Sequence, residues 1–143
     1  MVRYYKGEYK WGAKHGYGVF VYRDETRFEG TFTNNVKEGQ GIMYYSDGSK
    51  YVGDYHFGMM DGQGEYVWPN GVKYIGEWRA DERHGFGQMY FSDKLLAYVL
   101  LRIERSYIAI KTFVEEVDSR AMTENRVIGK RLVRDILDKG KQS

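Results

Sequence analysis

The chain has 143 residues, a formal net charge of +2, 42% hydrophobic residues and no cysteine, a length that suits one domain or one domain with an appendage. The absence of cysteine excludes a disulfide framework, a thiolate nucleophile and a zinc site built on sulfur. The longest apolar run, residues 95–101, is far shorter than the roughly 20 residues of a membrane-spanning helix, and no secretory signal begins the chain, so we expect a soluble cytoplasmic protein.

The composition changes near Asp93. Residues 1–93 contain 16 of the 18 glycines and 21 of the 24 aromatic residues, with 11 Lys and Arg against 13 Asp and Glu. Residues 94–143 contain 11 basic and 7 acidic residues, a net charge of +4. We therefore predict two parts, a repeat array over 1–93 and a C-terminal extension over 94–143.

Four copies of one 23-residue pattern fill the first part, starting at residues 5, 28, 51 and 74 without insertions. Each copy begins with an aromatic residue, a glycine and a second aromatic residue at alternate positions, followed by a Gly-x-Gly pair. Because side chains alternate along a strand, these residues share one face and are predicted to be structural. They are Tyr5, Gly7, Tyr9, Phe28, Gly30, Phe32, Tyr51, Gly53, Tyr55, Tyr74, Gly76 and Trp78.

Each copy predicts one β-hairpin. The turn within a hairpin is expected at residues 11–14, 34–35 and 57–58, and the sequences DGS (47–49) and PNG (69–71) supply turns between hairpins. Eight short strands in one antiparallel meander follow from this pattern. We also expect each aromatic ring to lie over glycine backbone of the neighbouring strand, because this recovers burial that glycine alone forfeits.

The pattern Y-x-G-x-[YFW] followed by H-G-x-G resembles the MORN (membrane occupation and recognition nexus) repeat over residues 5–93. The resemblance implies a mainly β protein, an elongated single-layer antiparallel sheet of hairpins that acts as a scaffold rather than a catalyst. Such repeats occur in radial-spoke heads of cilia, apicomplexan cytoskeletal proteins, junctophilins and plant phosphoinositide kinases. Glu38 and Asp61 depart from the pattern by replacing its histidine, and the fourth copy ends at Asp93 without the turn glycine.

The residues after the array predict one or two α-helices. Apolar residues at heptad spacing predict a helix over about 94–118, with Leu95, Val99 and Phe113 widening its apolar face and Ser92 or Asp93 capping its start. This helix would either cover the sheet as a cap or bind a partner helix and so support a dimer. The heptad seam consists of Leu96, Leu100, Ile103, Tyr107, Ile110, Val114 and Val117.

A second amphipathic helix is predicted over 124–138, with Thr123 as its cap. Arg126, Lys130, Arg131 and Arg134 lie among its apolar residues. Three interpretations of these cations stay open. They form a solvated face, they dock onto an acidic protein surface, or they make weak contact with anionic phospholipids.

The sequence predicts no catalytic residue, no cofactor and no metal site. It contains no phosphate-binding loop, dinucleotide fingerprint, HExxH or GxSxG motif. His15 and His84 occupy the histidine position of the repeat, and His56 is expected to face outward without a second histidine at ligand spacing. A nucleic-acid partner is not expected either, because the array is net acidic and has no basic stripe.

We therefore expect a scaffold that docks a partner segment on the face opposite the repeat aromatics, where the apolar stripe suits a helix. By resemblance, its setting is the cytoskeleton or a ciliary (axonemal) assembly, with other proteins of that assembly as partners. A peripheral membrane module that binds anionic phospholipid headgroups through residues 126–141, and a targeting segment split from a larger enzyme, are the alternatives. Strand parity defines the open-face stripe as Tyr17, Val19, Val21, Ile42, Tyr44, Val67, Phe86 and Tyr90.

Overall fold

The computed structural model describes residues 3–100 and 107–140. The chain divides into two compact units, one of residues 1–69 and 73–90 and one of residues 70–72 and 91–143. The first unit contains an eight-stranded antiparallel sheet in which every strand pairs with its neighbours in sequence. The predicted mainly β fold, an open sheet followed by helices, is therefore confirmed. The strands are β1 (Tyr4–Lys10), β2 (Ala13–Val21), β3 (Arg27–Thr33), β4 (Val36–Tyr44), β5 (Lys50–His56), β6 (Met59–Val67), β7 (Lys73–Arg79) and β8 (Glu82–Tyr90).

Two-residue turns close all four hairpins. Both residues of each turn have positive φ, as the type I′ turn requires, and this turn matches the twist of the paired strands. Turns also bond to the preceding hairpin: the Asn35 N–H, for example, donates to the Lys14 carbonyl at 2.9 Å. The turns are Trp11–Gly12, Asn34–Asn35, Phe57–Gly58 and Ala80–Asp81.

The repeat aromatics form one continuous chain of edge-to-face contacts. Within the third repeat the ring centroids of Tyr51 and Tyr55 are 5.3 Å apart, and between repeats those of Tyr51 and Trp78 are 5.4 Å apart. Such T-shaped pairs add to the burial energy of the rings. Six of these rings are buried and form the core of a sheet that has no second layer among its own strands, whereas Tyr5 is half-buried and Tyr9 is 61% exposed. The order of the rings along this chain of contacts is Tyr9, Tyr5, Phe32, Phe28, Tyr55, Tyr51, Trp78 and Tyr74.

Three helices follow the sheet: α1 (Asp93–Leu100), α2 (Tyr107–Thr123) and α3 (Lys130–Gly140). Ser92 caps α1, since its Oγ accepts the Leu95 N–H at 3.2 Å, as the sequence predicts. The helix predicted over 94–118 is helical at both ends of that range. Residues 101–106, which include Ile103 of the heptad seam, lie outside the described residues.

The start predicted for the second helix is wrong. α3 begins at Lys130, and Thr123 is the last residue of α2 rather than a cap. The reason lies at the C-terminus of α2, where Asn125 adopts a left-handed φ of 52° and the Arg126 N–H donates to the Ala121 carbonyl at 2.9 Å. This pattern is typical of a Schellman motif. It satisfies the last carbonyl groups of α2 with backbone N–H groups of Asn125 and Arg126, two residues that the sequence assigned to the next helix.

The helices pack into a small apolar core, in which α3 contacts both α1 and α2. α1 buries Leu95 and Val99, whereas Leu96 of the heptad seam is 43% exposed. Val117 of the seam is buried and Val114 half-buried, and the side chains of Leu100, Tyr107 and Ile110 lie outside the described part. Among the described residues of the helices and of the segment between α2 and α3, Val117, Ile128, Leu132 and Val133 are fully buried.

Candidate functional site

The open-face stripe lies on the second strand of each hairpin, on the face opposite the aromatic chain. Its residues alternate with core positions, since Val19 stands between Gly18 and Phe20 and pairs across the strands with Glu29. Tyr17, Phe86 and Tyr90 are 54%, 75% and 45% exposed. The other members are half-buried, namely Val19, Val21, Ile42, Tyr44 and Val67.

Apolar residues of the first strands extend this face. Val52 on β5 and Ile75 on β7 are 39% and 37% exposed, and Val52 pairs directly with Ile42 of the stripe. Sequence reasoning missed them because it applied strand parity to second strands alone. The same alternation, counted from Tyr51 and Tyr74, would have placed both residues on the open face.

Basic residues alternate with the aromatic residues of the stripe along one edge of this face. Tyr44 pairs with Arg27 on one side and Lys50 on the other, and both cations lie over its ring at 4.4 Å and 5.3 Å. Lys73 lies in the same way over Tyr90, at 5.0 Å. The open face therefore offers apolar and cation–π contacts together.

Carboxylates hold the backbone of the stripe in place. In all four repeats the first glycine of the Gly-x-Gly pair has positive φ at a β-bulge, and in three of them the next N–H donates to an acidic side chain on the adjacent strand. Sequence reasoning did not find these contacts, although the acidic residues recur at repeat spacing. The pairs are Tyr17 N with Glu8 Oε2 at 2.5 Å, Gln63 N with Asp54 Oδ2 at 2.9 Å and Phe86 N with Glu77 Oε2 at 2.6 Å.

The aromatic face contains a row of cations at one repeat position. Lys37 is the most enclosed, since its Nζ lies 5.4–5.6 Å from the ring centroids of Tyr22, Phe28 and Tyr55. Met60 occupies the equivalent position of the third repeat. We call Lys14, Lys37 and Arg83 the cation row; Lys14 lies over Tyr5 and Phe20, and Arg83 over Trp68 and Tyr74.

An open groove of about 560 Å³ lies on the aromatic face of the first two repeats. Arg3, Lys14 and Lys37 line it together with rings of the aromatic face, and its described lining includes no Asp or Glu. A neighbouring cavity of about 510 Å³ shares Arg3 and Lys37 and contains Asp24, whose carboxylate accepts the Thr26 N–H at 3.0 Å. The first cavity, which we call the N-terminal groove, is therefore a basic and aromatic surface.

Several ionisable groups of the sheet have shifted pKa values, and each shift described below has a structural cause. Burial raises the pKa of the phenols of Tyr45, Tyr51 and Tyr55. Glu38 has a lowered pKa because its carboxylate accepts the Phe57 N–H at 2.8 Å and lies 2.5 Å from Nδ1 of His56. Within residues 3–100 and 107–140, no group of His, Asp and Glu has the arrangement of a metal site.

The basic residues predicted for the second helix have different environments. Arg126 forms salt bridges with Glu124 at 3.1 Å and Asp135 at 2.8 Å. Lys130 lies 5.6 Å from the ring centroid of Tyr98, while Arg131 is exposed. A hydrogen bond to Tyr98 raises the pKa of Arg134. In the described part of the chain, no helix is both long enough and apolar enough to cross a membrane.

Comparison with protein families identifies the repeat. The family model of the MORN repeat matches the chain four times, at residues 5–27, 28–50, 51–73 and 74–95, which together make up more than half of its length. The matches begin at the four residues where the sequence pattern places the repeats. No curated protein matches the sequence.

Proposed function

Because the chain belongs to the MORN-repeat family, we propose that it is a protein-interaction scaffold that docks a partner segment on its open face. The repeats of this family are non-enzymatic modules of protein interaction or membrane binding, and they are associated with membranes or the cytoskeleton. In our proposal the chain has no catalytic role and is a structural subunit of a cytoskeletal or ciliary assembly in the cytoplasm. Its partners are other proteins of that assembly.

The exposure of Phe86 is the observation that supports this proposal best. Its ring is 75% exposed, and with Ile75 and Gln88 it lines a shallow cavity of about 370 Å³. The bond from its N–H to Glu77 fixes the backbone there. Burying an aromatic ring of this size against a partner contributes about 2 kcal/mol, and contiguous exposed apolar residues mark such contact surfaces.

The test is capture of partners by the full chain from an extract of ciliated cells, with mass spectrometry as the readout. Substitution of Phe86→Ser with Tyr90→Ser should remove the specifically captured proteins. The matched control is Trp11→Asn with Phe57→Asn, which removes two exposed aromatic residues at hairpin turns, where Asn34 is the natural residue of the second repeat. Unchanged capture by a natively folded F86S/Y90S protein would contradict the proposal.

The alternative is a peripheral membrane module that binds anionic phospholipid headgroups through the basic tail. The exposed Arg131 near the start of α3, next to Lys130, favours it. Charge reversal of both residues to Glu should then abolish sedimentation with vesicles that contain phosphatidylserine. Sedimentation that persists in this variant would reject the tail as the lipid site.

A further inference from the structure

The lysines of the N-terminal groove lack acidic partners. Among the described residues, neither Lys14 nor Lys37 forms a salt bridge, whereas on the open face Arg27 pairs with Glu29 at 3.2 Å. Lys37 Nζ donates to Tyr22 Oη at 3.1 Å, and both lysines are half-buried. A partly buried ammonium group without a counter-ion attracts an anion more strongly than a solvated one does.

Packing alone does not require a charge at this repeat position. Met60 fills it in the third repeat, where its Sδ lies 4.0 Å from Tyr45 Oη, and its side chain is buried. An unbranched apolar side chain therefore covers the rings adequately. Packing therefore does not account for the charges of Lys14 and Lys37, nor for that of Arg83 at the same position of the fourth repeat.

We propose that the N-terminal groove binds an acidic segment of a partner protein. Lys14 on β2 and Lys37 on β4 are separated by two strand spacings, about 10 Å. Carboxylates at positions i and i+7 of a helix, about 10.5 Å apart, match this separation. Apolar side chains between them would contact the rings of Tyr5, Phe20 and Tyr22, which line the groove. This surface lies on the opposite face from the stripe and is independent of the function proposed above.

A peptide fits the groove better than a membrane surface does. Anionic bilayers attract cations that protrude from a protein into the headgroup layer. Lys14 and Lys37 instead lie over aromatic rings within a groove of about 560 Å³. A side chain that enters the groove reaches both the ammonium groups and the rings.

The experiment is selection of a displayed random-peptide library on the full chain, followed by fluorescence anisotropy with synthetic copies of the enriched peptides. We expect the selected peptides to be rich in Asp and Glu with apolar residues between them. Substitution of Lys14→Met with Lys37→Met, which introduces the side chain that Met60 supplies naturally in the third repeat, should weaken their binding about tenfold. Lys14→Met alone should weaken peptide binding less, and it replaces the double variant in the test if the double variant does not fold.

The control variant is Lys50→Met with Lys73→Met, which removes the same charge from the open face and should leave peptide binding within about twofold of wild type. F86S/Y90S should also bind these peptides normally, which separates this site from the proposed scaffold function. Selection of peptides without acidic residues, or equal losses in the two lysine double variants, would overturn the proposal. Binding of phosphatidylserine vesicles that depends on Lys14 and Lys37, without binding of acidic peptides, would overturn it in favour of a membrane.

Discussion

The ring of Tyr51 lies against the backbone of Gly64 on the neighbouring strand, in the space that a Cβ at Gly64 would occupy. The Tyr51 hydroxyl continues along its own strand and donates to the Asp54 carbonyl at 2.9 Å. Glycine and ring are therefore interdependent, since the ring recovers apolar burial that the glycine alone would forfeit. The same contact occurs in the other repeats, between Tyr5 and Gly18, Phe28 and Gly41, and Tyr74 and Gly87.

Substitution of Gly64→Ala should destabilise the sheet by about 3 kcal/mol, because the new methyl group overlaps the ring of Tyr51, which is fully buried. Urea unfolding followed by tryptophan fluorescence measures this loss. Gly12→Ala is the control: beyond its two chain neighbours, no atom of the described residues lies within 4 Å of the position that its new Cβ would take, and its cost is the left-handed φ of 80° alone, about 1 kcal/mol. An equal loss of unfolding free energy in both variants would contradict the prediction, because it would show that the ring of Tyr51 moves aside for the new methyl group.

Two tyrosines of the third repeat should respond differently to loss of their hydroxyl groups. Tyr51→Phe removes the bond to the Asp54 carbonyl and should cost about 1 kcal/mol. Tyr55 Oη is buried without a hydrogen-bond partner among the described residues, so Tyr55→Phe should be neutral or stabilising by up to about 1 kcal/mol. Phe28 and Phe32 are the natural residues at these positions in the second repeat. A Tyr55→Phe variant less stable than Tyr51→Phe would refute the prediction that the hydroxyl of Tyr51, rather than that of Tyr55, stabilises the sheet.

The buried tyrosines predict a loss of stability at high pH. Burial raises the pKa of Tyr45, Tyr51 and Tyr55 above the ordinary value of 10.0, so the folded state keeps them protonated while the unfolded state ionises. Their contribution is complete below about pH 10 and decreases as the pH rises beyond it. Tyrosinate absorbance during an alkaline titration should show these phenols ionising together with unfolding. Titration of all tyrosines near pH 10 in a folded protein would contradict the prediction.

The fold follows from the sequence because six repeat positions recur in phase every 23 residues, and strand parity then assigns each side chain to a face. The bulges were not predictable, since the bonds from N–H groups to Asp54 and Glu77 depend on register shifts that parity ignores. The cation row was missed for another reason. The net charge of the array averages over both faces of the sheet, so it conceals that Lys14 and Lys37 lie on the same face. Their spacing of 23 residues, one repeat length, is nevertheless visible in the sequence.

Asp54 tests whether the acidic side chains hold the bulges. Its carboxylate accepts the Gln63 N–H at 2.9 Å and also accepts from the Gln40 side chain. Asp54→Ala leaves the Gln63 N–H without this acceptor and should destabilise the sheet by about 1 kcal/mol. Asp54→Asn should destabilise it less, because the amide oxygen of asparagine can still accept the hydrogen bond. Amide hydrogen exchange measured by NMR should be slow at Gln63 in the wild type and fast in Asp54→Ala. Gly53 and Gly64, which face each other across the two strands, should stay protected in both proteins. Unchanged exchange at Gln63 would mean that the ladder of strands, rather than the carboxylate, fixes the bulge.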